Sequence, residues 1–158
     1  MDWLFLLTLG AALGSGLIAG VFFAFSSFVM QSLQRLPAPQ SITAMNTINV
    51  VIINSLFMVA FLGTAVLCAA LVVVSALRWG QPGSSLSLLG AALYLVGNIF
   101  VTGAFNIPLN NALARVTPEG STLEAWRQYF APWMLWNHVR TGTALTALGA
   151  FVLALTGR

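Results

Sequence analysis

Charged residues are so widely spaced along this chain that the gaps between them define its elements. The gaps that hold no charged residue cover residues 3–34, 36–77, 79–114 and 141–157. A helix of ~20 mostly apolar residues crosses the ~30 Å hydrocarbon layer of a bilayer. The pattern therefore predicts four membrane-spanning helices, at about 3–31, 43–77, 86–106 and 132–156.

Segments rich in proline and glycine separate these spans. Residues 36–39 contain two prolines, which lack the amide donor that continues a helix, and residues 80–85 form a short loop. The segment 106–110, which contains Pro108, is expected to end the third span.

A polar stretch at 107–131 follows the third span and predicts short interfacial helices between spans three and four, because Ser121 and Glu124 have capping-box spacing. The predicted fold is all-α. Residues 1–158 are expected to form a single domain, a four-helix transmembrane bundle.

The composition excludes several classes of protein. Of 158 residues, 59% are hydrophobic and 6% are charged, whereas a soluble domain carries roughly 25% charged residues. A soluble monomer and a disordered chain are therefore excluded, and a multi-pass protein of the cell or inner membrane is expected. The six basic residues are dispersed singly along the chain, which argues against a nucleic-acid partner.

Polar side chains within the spans occur at corresponding ends of the helices. With an up-and-down topology these ends lie on one side of the membrane, so we expect a shared polar pocket close to one leaflet. Its candidate residues are Ser26, Asn46, Asn49, Asn54, Asn106, Asn110, Asn137, His138 and Arg140, with Trp133, Trp136, Phe22 and Phe25 as aromatic neighbours.

The residue types in this pocket limit its chemistry. One histidine and one distant cysteine cannot build a multi-ligand metal site, so no metal is expected. The imidazole of His138 and the cation of Arg140 suit proton abstraction from an acidic carbon, with hydrogen bonds to the resulting enolate. His138 could equally serve as one axial ligand of a haem. A third reading makes Arg140 a structural residue at the membrane boundary beside Trp133 and Trp136.

Several motifs resemble the anthrone oxygenase-like family over about residues 10–150. The blocks that carry the resemblance are Gly20-Val21-Phe22-Phe23-Ala24-Phe25-Ser26, Met45-Asn46-Thr47-Ile48-Asn49, Asn106-Ile107-Pro108-Leu109-Asn110 and Trp133-x-x-Trp136-Asn137-His138-Val139-Arg140-Thr141. The resemblance implies a four-helix membrane fold and the oxidation of anthrones to anthraquinones by dioxygen without an added cofactor.

The resemblance also implies roles for individual residues. His138 would take a proton from an activated methylene, and the enolate oxygen would be held by Asn106, Asn137 and Arg140. Trp136, Phe22 and Phe25 would pack against the aromatic rings. The expected partners are the bilayer, a small hydrophobic aromatic ligand, dioxygen and, as an open alternative, a second copy of the chain. A non-catalytic binding or transport module and a structural subunit remain alternatives.

Overall fold

The computed structural model describes residues 3–117 and 122–157, and helices account for nearly all of this part of the chain. We number each continuous helix once. The helices are α1 (Trp3–Gln34), α2 (Ala38–Val51), α3 (Leu56–Leu77), α4 (Ser84–Leu113) and α5 (Thr122–Thr156).

Four of these helices, α1, α3, α4 and α5, are long and apolar enough to cross a membrane. Their outward side chains are aliphatic: Leu56 is 86% exposed and Leu77 is 82% exposed at the two ends of α3. Such side chains require a lipid environment. The predicted four-helix transmembrane fold is therefore confirmed, and the protein is a multi-pass membrane protein.

The second predicted span is divided into two helices. A 3₁₀ turn at Ile52–Asn54 ends α2, and Ser55 has an extended backbone (φ −102°, ψ 163°) before α3 begins. The Ser55 hydroxyl donates a 2.7 Å hydrogen bond to the Ile52 carbonyl, which satisfies a backbone group that a continuing helix would otherwise use. Only α3 spans the membrane, and α2 is a separate helix of 14 residues.

The expectation that residues 106–110 end the third span is wrong. The helix passes through Pro108 and ends at Leu113. Two π-helical segments, Leu95–Phe100 and Thr102–Asn106, precede the proline. In a regular α-helix the ring of Pro108 would collide with the carbonyl of Ala104, and the wider turn of the second segment, which contains Ala104, accommodates it.

The described part of the polar stretch at 107–131 consists of the end of α4 and the first turns of α5. The predicted capping residue Ser121 lies outside the described residues. Its partner Glu124 accepts a 2.9 Å hydrogen bond from Gln128 one turn later.

The buried side chains form two clusters, one above the other along the bundle. The first includes Phe22, Phe61 and Tyr94, and the second includes Met45 and Trp133. The helices of the first cluster approach closely because glycines face neighbouring helices: a Cβ at Gly97 of α4 would collide with the Thr143 side chain of α5, and one at Gly14 of α1 would collide with Thr64 of α3.

Candidate functional site: a cavity with a buried arginine

A cavity of about 260 Å³ lies between the two clusters. Asn106, one of its lining residues, is 22 residues into α4, or ~33 Å from the α3–α4 loop, so the cavity is near the opposite end of the bundle. Its polar lining residues are Asn49, Thr102, Asn106, Asn110, Asn111, Asn137 and Arg140. Its apolar lining residues are Val21, Phe22, Phe25, Met45, Ile48, Ile52, Ile53, Phe57, Met58, Phe61, Ile107 and Trp133.

The guanidinium of Arg140 is the charged group of this cavity, and the residue is only 6% exposed. Nη2 donates a 2.8 Å hydrogen bond to Asn137 Oδ1, and Nη1 donates a 3.1 Å bond to Thr102 Oγ1. Nε is buried and has no hydrogen-bond partner. Both of the bonded partners are neutral.

No carboxylate of the described residues is near Arg140. In 3–117 and 122–157 the acidic side chain is Glu124, which is 16 residues away on the same helix, ~24 Å along its axis. The charge of Arg140 is thus enclosed without an acidic partner from the described part of the chain. An uncompensated charge inside a membrane protein is costly, and it usually marks a ligand or ion site.

Aromatic rings cover the guanidinium. Its central carbon lies 4.2 Å from the centre of the Phe22 ring and 5.4 Å from that of Trp133, both within cation–π range. From the sequence Arg140 was placed beside Trp133 and Trp136, and of these two rings that of Trp133 lies within this range. On one side of the cavity Phe22 makes edge contacts with Phe57 and Phe61, at centroid distances of 6.0 and 6.2 Å.

Asn137 holds Arg140 in place. Its Nδ2 donates to the Phe22 carbonyl at 2.8 Å and to Ser26 Oγ at 2.7 Å, while its Oδ1 accepts the bond from Arg140. The residue is fully buried. Asn137 therefore connects α5 to α1 and fixes one end of the guanidinium.

Further amides line the wall formed by α2 and α4. Asn110 Nδ2 donates to Asn49 Oδ1 at 3.1 Å, and Asn110 Oδ1 accepts from the Tyr129 hydroxyl at 2.9 Å and from Trp133 Nε1 at 3.0 Å. Asn106 Nδ2 donates a long 3.4 Å bond to the Trp133 carbonyl. Asn106 Oδ1 and Asn49 Nδ2 are buried without a partner, and each such group costs ~1–3 kcal/mol unless a ligand or water pairs with it.

A model of the anthrone oxygenase family matches residues 55–150, which is more than half of the chain. The chain belongs to the anthrone oxygenase family. The match contains α3, α4 and most of α5, with Arg140, Asn137 and Asn106, whereas α1 and α2 lie outside it. No curated protein and no solved structure matches the chain.

Most of the predicted site residues meet at the cavity of this anthrone oxygenase family member. The lining includes Phe22, Phe25, Asn49, Asn106, Asn110, Trp133, Asn137 and Arg140. These residues come from α1, α2, α4 and α5, which agrees with the expected convergence of helix ends. Their roles in binding or catalysis stay predictions.

His138 does not share this chamber, so the expectation that its imidazole faces the amides is wrong. Its side chain is exposed, and Nδ1 lies 3.0 Å from Ser26 Oγ. The reason is helical geometry: successive residues are rotated by about 100°, so His138 points ~160° away from Arg140. Its predicted role as a base is not tested by this position, but the imidazole is separated from the cavity by Asn137.

Four other predicted binding residues are outside the lining. The Trp136 ring stacks on Phe105 at a centroid distance of 3.6 Å, because Trp136 lies one position off the inward face of α5. Asn46 is half-buried, Asn54 is exposed in the turn that ends α2, and Ser26 supports Asn137 from α1.

The sequence analysis missed several lining residues. Thr102 lies four positions before Asn106, and this spacing on one helix face was the available signal. Ile53 and Ile107 gave no signal, since isolated aliphatic residues in an apolar span look alike. Their place at the cavity depends on the break at Ser55 and on the π-helical segments of α4.

The haem ligand considered from the sequence, His138, lies outside this cavity, and haem binding stays a prediction. In the described residues no group of three histidine, cysteine or acidic side chains could hold a metal ion. The chemical groups that the lining supplies are the guanidinium of Arg140, the amides, the thioethers of Met45 and Met58 and the aromatic rings.

Proposed function

We propose that this protein is a membrane-embedded oxygenase that uses dioxygen to oxidise a small, flat, enolisable aromatic compound of the anthrone type. Membership in the anthrone oxygenase family supports the reaction class. The observation that carries the proposal is a buried guanidinium, without an acidic partner from the described residues, at the wall of an aromatic cavity.

The proposed ligand complements each part of the cavity. An enolate or phenolate oxygen would pair with Arg140, whose Nε has a free donor. The flat ring system would lie among Phe22, Phe25 and Trp133. A hydroxyl group on the ring would donate to Asn106 Oδ1, which otherwise lacks a partner. A ligand of this class supplies the negative charge and the hydrogen bonds that the cavity lacks.

The proposed reaction follows from stabilising the enolate. A cation in a water-poor site favours a developing oxyanion strongly, so the methylene carbon conjugated to that oxygen becomes easier to deprotonate. The carbanion transfers electrons to dioxygen and forms a carbon–oxygen bond, and the resulting peroxide anion takes up one proton, equal in number to the proton removed, to give a hydroperoxide on that carbon. Loss of water leaves a carbonyl group, so one oxygen atom enters the product and the other leaves as water.

The proton acceptor is the open part of this scheme. The cavity lining contains no carboxylate, imidazole or thiol. His138 stays the proposed base only if a proton reaches it past Asn137 and Ser26. The lack of a base in the lining favours a second candidate function, a non-catalytic binding or transport module for the same class of ligand.

Oxygen consumption with anthrone as substrate separates these functions. We expect purified protein in lipid vesicles to consume dioxygen and release anthraquinone, measured by an oxygen electrode and by quinone absorbance. Arg140→Met should lower kcat/KM by roughly 100-fold, the typical effect of removing an oxyanion donor. Arg127→Met, which removes an exposed arginine of the same helix, is the matched control.

The outcomes of this experiment are distinct. Anthrone binding without oxygen consumption would support the binding module instead. Turnover by Arg140→Met equal to that of Arg127→Met would refute the role of the guanidinium. We place the protein in the cell or inner membrane, and a homo-oligomer stays a proposal that this assay does not address.

A further inference from the structure

The exposed residues of the cavity lining mark its opening. Three lining residues are exposed, Ile53, Ile107 and Asn111, whereas the others are buried or half-buried. Ile53 lies at the junction of α2 and α3, and Ile107 and Asn111 lie near the end of α4. The opening is therefore a lateral gap between this junction and α4.

The surroundings of the gap are aliphatic and aromatic. Ile53 is 61% exposed and Ile107 is 46% exposed, and the neighbouring Val50, Leu56 and Phe100 are 67%, 86% and 61% exposed. In a membrane protein such a surface faces acyl chains. The gap thus faces the lipid, and Asn111 marks its polar edge one turn beyond Ile107.

A hydrogen-bonded pair forms the cavity wall on the side of the helix ends. Asn49 and Asn110 lie one turn beyond Ile53 and Asn106, and their 3.1 Å bond joins α2 to α4. Tyr129 and Trp133 of α5 donate to the same Asn110 oxygen and hold this pair in place. The wall towards the aqueous side therefore consists of half-buried amides, while the lipid side is flanked by two isoleucines.

We propose that the ligand enters this cavity sideways from the bilayer, between Ile53 and Ile107, as a neutral molecule dissolved in lipid. A neutral enol or phenol partitions into acyl chains, whereas its anion does not. The ligand becomes an anion only after it reaches Arg140. The chemical class of the ligand rests on the proposed function, but the route depends only on the shape and exposure of the opening.

Cysteine labelling in lipid vesicles tests the route without any turnover. The variant Met45→Cys places a thiol in the cavity, because Met45 lines it and is 1% exposed, and Cys68→Ala removes the native thiol. The two probes are neutral N-phenylmaleimide, which dissolves in lipid, and a sulfonated maleimide present on both sides of the membrane. An exposed cysteine gives the reference ratio of the labelling rates of the neutral and the sulfonated probe. For Met45→Cys we expect this ratio to be roughly tenfold higher or more.

Substitutions at the opening locate the entry point. Ile107→Trp and Ile53→Trp should slow labelling by the neutral probe by roughly tenfold, whereas Ile107→Ala should accelerate it. Leu62→Trp is the matched control, because Leu62 is 51% exposed on α3 and does not line the cavity. Ile107→Ala keeps the test valid if an added indole prevents folding, since it only shortens an exposed side chain.

The results separate the route from the proposed function. Lateral entry would be overturned if the ratio of the two labelling rates at Met45→Cys equalled that on an exposed cysteine. It would also be overturned if Leu62→Trp slowed labelling by the neutral probe as much as Ile107→Trp does. A protein that fails to oxidise anthrone but shows the predicted labelling keeps the route and loses the oxygenase proposal. A protein that is active but is labelled from water keeps the function and loses the route.

Discussion

Substitutions of Asn137 and of Arg140 are expected to change the stability of the protein by different amounts. Replacing Asn137 by leucine removes its bonds to Arg140, to the Phe22 carbonyl and to Ser26, and leaves the guanidinium bonded only to Thr102. Losing a hydrogen bond to a buried charged group costs ~1.5–3 kcal/mol, and losing the two neutral bonds adds roughly 1 kcal/mol each, so the total is ~3–5 kcal/mol. We expect Asn137→Leu to lower the free energy of unfolding by this amount.

Arg140→Met should be much less destabilising. It removes two hydrogen bonds of 2.8 and 3.1 Å and the contact with the Phe22 ring, but it also removes the burial penalty of the charge, which is several kcal/mol. The amide oxygen of Asn137 is left unpaired, at a cost of ~1–3 kcal/mol. These contributions nearly cancel, so the free energy of unfolding should change by less than ~1.5 kcal/mol, about half the lower bound for Asn137→Leu.

The double variant Asn137→Leu/Arg140→Met isolates the coupling. Without the guanidinium, loss of Asn137 no longer strands a charge, so the double variant should be more stable than Asn137→Leu by ~2–4 kcal/mol. Thermal unfolding in detergent micelles, followed by circular dichroism, measures this as a rise in Tm of roughly 4–16 °C over the single variant. Additive effects, or a larger loss for Arg140→Met than for Asn137→Leu, would contradict the description of Arg140 as an uncompensated charge.

Three further substitutions test separate parts of the description. His138→Ala should shift Tm by less than ~2 °C, because the side chain is exposed and its one hydrogen bond is to Ser26; turnover at the wild-type rate would exclude it as the base. Asn106→Leu should leave Tm unchanged or raise it by a few degrees, since it removes a buried oxygen without a partner and only a long 3.4 Å hydrogen bond, yet weaken anthrone binding by roughly tenfold in a fluorescence titration. Gly97→Ala should lower Tm by several degrees through the collision with Thr143, and the added change Thr143→Gly, which also removes the Cβ of Thr143, should partly restore it; no rescue would mean that the close approach of α4 and α5 is not the cause.

Helix number and the level of the polar cluster could be predicted from the sequence because both depend on one-dimensional distances. Four apolar stretches of sufficient length give four spans, and alternating direction brings Asn106, Asn137 and Arg140 to the same end. Neither inference depends on how any helix is oriented about its own axis. The convergence of these three residues at one cavity was therefore accessible from spacing alone.

Helix rotation and local irregularities were harder to predict. The position of His138 on the outside follows from its two-residue separation from Arg140, but only once the inward face of α5 is known. The π-helical segments at Phe25–Val29 and Thr102–Asn106 change rotation at the level of the cavity and have no sequence signal. The break at Ser55 has no proline or glycine nearby to signal it, and Ser32 makes a similar hydroxyl–carbonyl bond within a continuous helix.

Arg140 lines the cavity and His138 lies outside it, so the guanidinium and the imidazole do not face the same space. Under the proposed function the guanidinium would stabilise the enolate, and the lining contains no carboxylate, imidazole or thiol, so we expect proton removal to depend on the acidity of the substrate itself. Under the proposed function, the rate should therefore follow the pKa of the carbon acid across a substrate series, and it should rise with pH until the substrate is fully ionised. Only methylenes activated by both a carbonyl group and aromatic rings would react at neutral pH. A rate that levels off at the same pH for the whole substrate series, whatever the acidity of the substrate, would instead require a protein base, and His138 would then have to reach the cavity by a movement of α5 or of Ser26.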